Sequence, residues 1–275
     1  MAQSQPIWSR FVRFEAEDGK IYCGEPVDEE LDVGIASLTP STTPILVNVL
    51  DSSSPLDLDA KFTGERLKAK TAELHFEIPS DPAIFLKPSS TLSGPTSPII
   101  IPKTLTGIDF EVELAVIIGR TCKNATVANA LGYVLGYTVS NDVSARGVQF
   151  QTTQFCYAKG FDGFAPLGPV VVAAKRIPDP QVMEVKTVLN GEEMQKSNTR
   201  NMIFSVAQIV AHLSRGSTLP AGTVIMTGTP GGIGHSRAPP VYLKEGADLR
   251  ISISHGLGTL VNPIVDEENI EGLPS

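Results

Sequence analysis

The sequence predicts a β-rich mixed α+β fold, with a small N-terminal β-rich unit ahead of a larger domain. Three observations lead there. Glycine (24) and proline (21) are plentiful among 275 residues, which favours many turns and short strands over long helices. Apolar segments of strand length outnumber helix-like ones. Residues 1–60 combine a hairpin pattern with a connection rich in Pro, Ser, Thr and Asp.

The elements follow in order. Phe11 to Phe14, a turn at Glu17-Asp18-Gly19-Lys20, and Ile21 to Cys23 form the hairpin pattern. An apolar run at Ile45 to Leu50 stands within the connection. Residues 61–77 (KFTGERLKAKTAELHFE) have helix-favouring, highly charged composition, so an exposed helix or lid is expected at the start of a larger domain, 61–275. Pro79, Pro82, Pro88, Pro95, Pro98 and Pro102 then mark a loop-rich stretch. Ile108 to Arg120 reads as a buried strand, Val127 to Gly132 as a helix, and Tyr133 to Ser140 as a strand ending at Asn141-Asp142. Leu167 to Ala174 is a further strand. Val185 to Leu189 and Glu192 to Gln195 flank Asn190-Gly191, a dipeptide whose tolerance of positive φ suits a tight hairpin. Ser205 and Gln208 form a capping box for a helix over Val206 to Leu213. Val224 to Thr227 and Leu249 to Ser254 complete the strands.

Bulk properties exclude several functions. A net charge of −8 argues against nucleic acid, because phosphate binding needs a basic surface. Mean hydropathy is +0.06, and no run approaches the roughly 18 apolar residues of a membrane span. Neither a signal-peptide core nor a peroxisomal ending is read at the termini. Cys23, Cys122 and Cys156 are odd in number, widely spaced and without a zinc pattern, which suits free thiols. A cytoplasmic protein is expected.

The chemistry centres on IDFEVELAVIIGR, Ile108 to Arg120. Strand alternation sends Asp109, Glu111 and Glu113 to one face and Phe110, Val112, Leu114 and Val116 to the other. Adjacent carboxylates repel and lose hydration on burial, and a hard divalent cation offsets both penalties. A solvated acidic strand face is the alternative reading. Three further segments carry candidate groups. Asn141-Asp142 stands at a strand end, with Arg146 and Gln149 beyond it, although Asp142 alone also reads as a turn former or cap. Lys159 lies among aromatic and glycine neighbours, where a lysine otherwise snorkels at the surface. Met226 to Gly234 (MTGTPGGIG) lacks the lysine of a phosphate loop, yet its amides and Thr229 suit a carboxylate or oxyanion.

Taken in order, these words resemble the fumarylacetoacetate hydrolase family, on its acylpyruvase and oxaloacetate decarboxylase-like branch. The matching stretches are FLKPSS (Phe85 to Ser90), FEVELAVIIG (Phe110 to Gly119), GYTVSNDVSAR (Gly136 to Arg146), KGFDGFAPLGP (Lys159 to Pro169), NTRNMIFSV (Asn198 to Val206), MTGTPGGIG, and GLGTLVNP (Gly256 to Pro263). The resemblance implies a family-type β-roll and a homodimer. It implies Mg²⁺ or Mn²⁺, with Ca²⁺ also admissible, on Glu111, Glu113 and Asp142. Arg146, Gln149 and Thr229 would bind substrate, with Lys159 catalytic. Asp109 falls outside the matched metal set and is read as a residue supporting the metal ligands from behind or as solvent-exposed.

One departure bears on mechanism. Many members carry an N-Y-x-x-H-x-x-E lid helix whose His and Glu are thought to activate water. Aligned here, Glu73 is kept, Lys70 replaces the histidine, and Arg66-Leu67 replace Asn-Tyr; His75 could enter only by a register shift. A lysine at its ordinary pKa of about 10.4 is protonated and takes no proton from water. His212, His235 and His255 are read as structural or surface residues. The implied activity is hydrolytic C–C cleavage of a small dicarbonyl or keto-acid substrate, of acylpyruvate or fumarylacetoacetate type. The alternatives are an oxaloacetate-type decarboxylase or keto–enol tautomerase, a biosynthetic enzyme on a larger substrate, and a non-catalytic metal-binding relative.

Overall fold

The computed structural model describes residues 7, 12–28, 45–52, 60–69 and 80–270. The chain forms two compact units, 1–78 and 79–275.

In the first unit β1 (Val12–Glu15), β2 (Ile21–Pro26), β3 (Ile45–Leu50) and β4 (Phe62–Ala69) make one antiparallel sheet in that order. The expected hairpin is present: Asp18 accepts from Lys20 N–H at 3.0 Å, and Gly19 takes φ +78°. Phe14, Ile45, Val47 and Val49 form a small core. The helix expected over 61–77 is corrected across Phe62–Ala69, which pairs with β3 as a strand. The physical reason is its place at the sheet edge. Charged side chains protect an exposed strand edge, so Glu65, Arg66 and Lys68 mimic a solvated helix in composition. This strand lies in the first unit.

The second unit is a β-roll. Its strands are β5 (Leu92–Ser93), β6 (Ile99–Ile101), β7 (Ile108–Asp109), β8 (Val112–Ile118), β9 (Cys122–Lys123), β10 (Val134–Asn141), β11 (Ser144–Ala145), β12 (Ala165–Ala173), β13 (Glu184–Leu189), β14 (Glu192–Asn198), β15 (Thr218–Leu219), β16 (Val224–Met226), β17 (Leu249–Ile253), β18 (Gly258–Val261) and β19 (Ile264–Asp266). One sheet runs β16-β8-β10-β12-β5, and a second runs β14-β13-β17-β18. They share a core in which Val112, Leu114, Val116 and Val139 meet Val185, Leu189, Ile251 and Leu260. At the β13–β14 turn Asn190 and Gly191 take φ 52° and 83°, as the dipeptide predicts. The capping box forms, with Ser205 and Gln208 bonded reciprocally at the start of helix Val206–Leu213. The helix expected near Val127 is a shorter 3-10 turn, Ala130–Tyr133.

The strand expected over Ile108 to Arg120 is interrupted. β7 ends at Asp109 and β8 begins at Val112. Between them, side chains take over from the ladder: Phe110 N–H donates to Asp109 Oδ1 (2.8 Å) and Glu111 N–H to Asn141 Oδ1 (2.9 Å).

Candidate metal centre

The antiparallel register of β8 and β10 builds the centre. Glu113 pairs with Ser140 and Val112 with Asn141, so the chain leaving β10 brings Asp142 beside Glu111. Asp142 N–H donates to Glu111 O at 2.9 Å, which fixes the approach. Ligand oxygens from Glu111, Glu113 and Asp142 consequently lie within 4.8 Å of one another, and all three residues are buried. On the opposite face of β8, Val112, Leu114 and Val116 anchor the strand in the core. The acidic face is therefore enclosed, and the solvated reading of this strand does not hold.

Three cations surround the carboxylates. Lys159 Nζ bridges Glu111 Oε2 at 2.7 Å and Asp142 Oδ2 at 2.6 Å. Lys87 Nζ meets the other Asp142 oxygen at 2.6 Å. Arg146 Nη2 meets Glu111 Oε1 at 2.6 Å, its Nε donates to Asp109 Oδ2 at 2.9 Å, and its Nη1 donates to Gln149 Oε1 at 2.7 Å. Glu113 is different: among the described residues its carboxylate takes one hydrogen bond, from Gly228 N–H at 2.8 Å, and no ion pair. Burial first, then the charges of Asp142 and Glu111, pushes its pKa well above the carboxylate range. Burial pulls Lys159 down, but Asp142, Glu111 and Glu113 outweigh it and hold the ammonium above its ordinary value. At Lys87 burial wins over Asp142, and the pKa is lowered. The centre thus has an all-oxygen donor set and a carboxylate lacking a positive partner. That chemistry fits a hard divalent cation.

Residues 62–265 match the family model described as fumarylacetoacetate (FAA) hydrolase, C-terminal. The chain belongs to the fumarylacetoacetate hydrolase family. Among solved structures, the fumarylacetoacetate hydrolase of Exiguobacterium antarcticum is 34% identical with a TM-score of 0.66, covering 94% of this chain and 99% of that one. The 5-carboxymethyl-2-hydroxymuconate delta-isomerase of Mycobacterium smegmatis is 32% identical with a TM-score of 0.64, covering 94% and 100%. Maleylpyruvate hydrolase from Sphingobium sp. SYK-6, in complex with manganese(II) ion and pyruvate, is 33% identical with a TM-score of 0.58, covering 66% of this chain and 64% of that one.

Within this family framework the structure brings Glu111, Glu113, Asp142, Arg146, Gln149 and Lys159 together. Arg146 is buried and spends most of its donors on Asp109, Glu111 and Gln149. Thr229, half-buried in the loop after β16, accepts from Gln195 Nε2 at 2.8 Å. Asp109 is corrected on one point: it is fully buried, not solvent-exposed. Its carboxylate accepts from Phe110, Gly234 and His235 N–H as well as from Arg146, because the break after β7 turns it into the protein. Lys70, Glu73 and His75 lie outside the described residues. His235 bonds Tyr242 Oη through Nδ1 at 2.8 Å and stacks on Phe150, while His212 faces Asp81 at 3.2 Å. His255 takes φ 62° in the turn after β17.

Three contributors escaped the sequence reading. Lys87 lies within FLKPSS, where a lysine between Leu and Pro gave a signal that carried no assigned role. Asn141 was visible only as a strand-end residue, and its buried Nδ2 has no protein partner among the described residues. Gln195 carries no local signature; its partners are remote in sequence.

Proposed function

We propose that this chain is a divalent-metal-dependent enzyme that hydrolyses a C–C bond in a small dicarbonyl or keto-acid substrate of acylpyruvate or fumarylacetoacetate type. The observation that carries the reading is the buried triad Glu111, Glu113 and Asp142, with oxygens within 4.8 Å of one another. These residues would hold Mg²⁺ or Mn²⁺, with Ca²⁺ also compatible with the oxygen set. Bound there, the cation supplies Lewis-acid polarisation of a carbonyl oxygen. Lys159 and Lys87 offer ammonium donors to an anionic substrate, and Thr229 offers a hydroxyl. Arg146 and Gln149 hold Glu111 in place at the substrate pocket. Glu73 serves as the base and Lys70 as a cation, since a protonated lysine takes no proton from water. Support comes from the hydrolase names of two relatives and the manganese in one of them.

A second reading, decarboxylation or keto–enol isomerisation, is favoured by one observation. Arg66 and Leu67, aligned with the Asn-Tyr pair of the lid helix, lie in a β-strand. A relative named as an isomerase points the same way. The proposal includes a cytosolic homodimer; exposed Leu135, Val170 and Val171 on neighbouring strands support the latter, and sedimentation tests it.

The deciding experiment offers an acylpyruvate and oxaloacetate to protein stripped with EDTA and then reloaded with Mg²⁺, Mn²⁺ or Ca²⁺. Pyruvate and a carboxylic acid should appear from the acylpyruvate only with metal, and Glu113→Ala or Asp142→Ala should abolish it. Turnover surviving EDTA would refute the metal-centred account. Loss of CO₂ from oxaloacetate with the acylpyruvate untouched would select the second reading. Metal binding without turnover of either substrate would point to an enzyme acting on a larger substrate or to the non-catalytic relative.

A further inference from the structure

Gln195 stands on β14, in the sheet that does not carry the carboxylates, and is fully buried. Its amide uses all four of its hydrogen-bonding positions. Oε1 accepts from Val112 N–H at 3.1 Å and from the Thr187 hydroxyl at 2.9 Å. Nε2 donates to Pro230 O at 2.9 Å and to Thr229 Oγ1 at 2.8 Å. Two of these partners fix which end is which. A backbone N–H only donates and a carbonyl only accepts, so a flipped amide would set donor against donor at Val112 and acceptor against acceptor at Pro230.

That orientation has a chemical result at Thr229. A threonine hydroxyl can donate or accept, but towards Nε2 it can only accept. Its single proton is therefore left for another acceptor, and among the described residues Thr229 makes no second hydrogen bond. The same amide holds Val112 N–H, which belongs to the peptide joining Glu111 to the residue before Glu113. One buried side chain thus ties the carboxylate strand to the Gly-rich loop.

We propose that Gln195 is a positioning residue that presets Thr229 as a hydrogen-bond donor to an anionic oxygen of a 2-oxo carboxylate ligand. This rests on the reading of the site as a metal-dependent centre that takes such ligands. A structural role alone would need only the bonds to Val112 and Pro230; the polarity of Thr229 is the additional consequence.

The test measures Mg²⁺ binding, and oxalate binding to the Mg²⁺-loaded protein, by calorimetry. In Gln195→Glu the introduced carboxylate, once ionised, must accept from Thr229, which turns its proton inward. Oxalate affinity should fall about tenfold or more, as for a lost hydrogen bond to a charged group. Mg²⁺ affinity should stay within about threefold of wild type. The oxalate deficit relative to wild type at the same pH should grow as pH rises and the buried carboxyl ionises. Thr229→Val should lose a similar factor and Thr229→Ser should recover it. Adding Gln195→Glu to Thr229→Val should then change little. The proposal is overturned if Thr229→Val binds oxalate like wild type, or if Gln195→Glu costs as much without the Thr229 hydroxyl as with it. The first outcome applies even where Gln195→Glu fails to fold. Wild-type protein that binds neither Mg²⁺ nor oxalate would instead defeat the metal reading itself.

Discussion

Replacing Lys159 with methionine separates the two things its ammonium does: balancing buried charge and facing substrate. Lys159 is buried, with Nζ 2.7 Å from Glu111 and 2.6 Å from Asp142. At an effective dielectric of about 20, each contact is worth about 6 kcal/mol of Coulomb attraction, most of it offset by the lost hydration of the three charges. Removing one partner of a buried ion pair costs about 3–5 kcal/mol because the other is left uncompensated. Here the lower end applies. Glu111 keeps Arg146 and Asp142 keeps Lys87, each at 2.6 Å. A loss of about 3 kcal/mol in a unit of this size lowers Tm by about 6–12 °C. The methionine fills the volume of the lysine stem, so packing adds little. Lys159 and a divalent cation neutralise the same oxygens, so Lys159→Met should bind Mg²⁺ at least as tightly as wild type, and saturating Mg²⁺ should recover most of the lost Tm. Turnover should remain low even with metal bound. The assays are thermal unfolding after EDTA and in excess Mg²⁺, Mg²⁺ calorimetry, and product formation. If Mg²⁺ affinity falls in parallel with Tm, or Tm in EDTA is unchanged, the charge argument is wrong.

Two further outcomes follow from the same charges. Glu113 has a folded-state pKa raised by burial and by Asp142 and Glu111. Its contribution to stability is therefore fully present below the unfolded carboxyl pKa of about 4.3, and is lost as pH rises towards the raised folded value. Metal-free wild type should lose stability over that rise, whereas Glu113→Gln should show a shallower slope and bind Mg²⁺ poorly; equal slopes in denaturant titrations at several pH values would contradict this. Asp109→Ala should cost about 3–5 kcal/mol, because it strands three backbone N–H groups and half of the Arg146 fork in the interior. Its Mg²⁺ affinity should also drop as Glu111 loses a fixed Arg146, and a Tm within about 2 °C of wild type would reject the assignment.

How much of this was legible in the chain depended on the range of the interaction that fixes each feature. Periodicity and turn chemistry are local, so the Asn190-Gly191 hairpin, the Ser205 capping box and the core face of β8 follow from residues within a few positions of one another. The three carboxylates were grouped through the family resemblance: Glu111 and Glu113 stand two residues apart, on either side of the start of β8, and Asp142 follows the end of β10. What failed was the inference from composition. Phe62–Ala69 looks helical because Lys, Arg and Glu are good helix formers, but the same residues guard a strand edge, and pairing with β3 decides between them. The buried supports of the site were beyond any local reading. Gln195 meets Val112 and Thr229 across separate sheets and loops, and nothing in the sequence near it indicates either partner. Asp109 shows the intermediate case. Alternation put it on the acidic face with Glu111 and Glu113, yet the break at Phe110 redirected it to Arg146 and to the turn at Gly234. A regular strand would have placed a third carboxylate beside the triad; the interruption converts it into the counter-charge that holds the arginine holding Glu111.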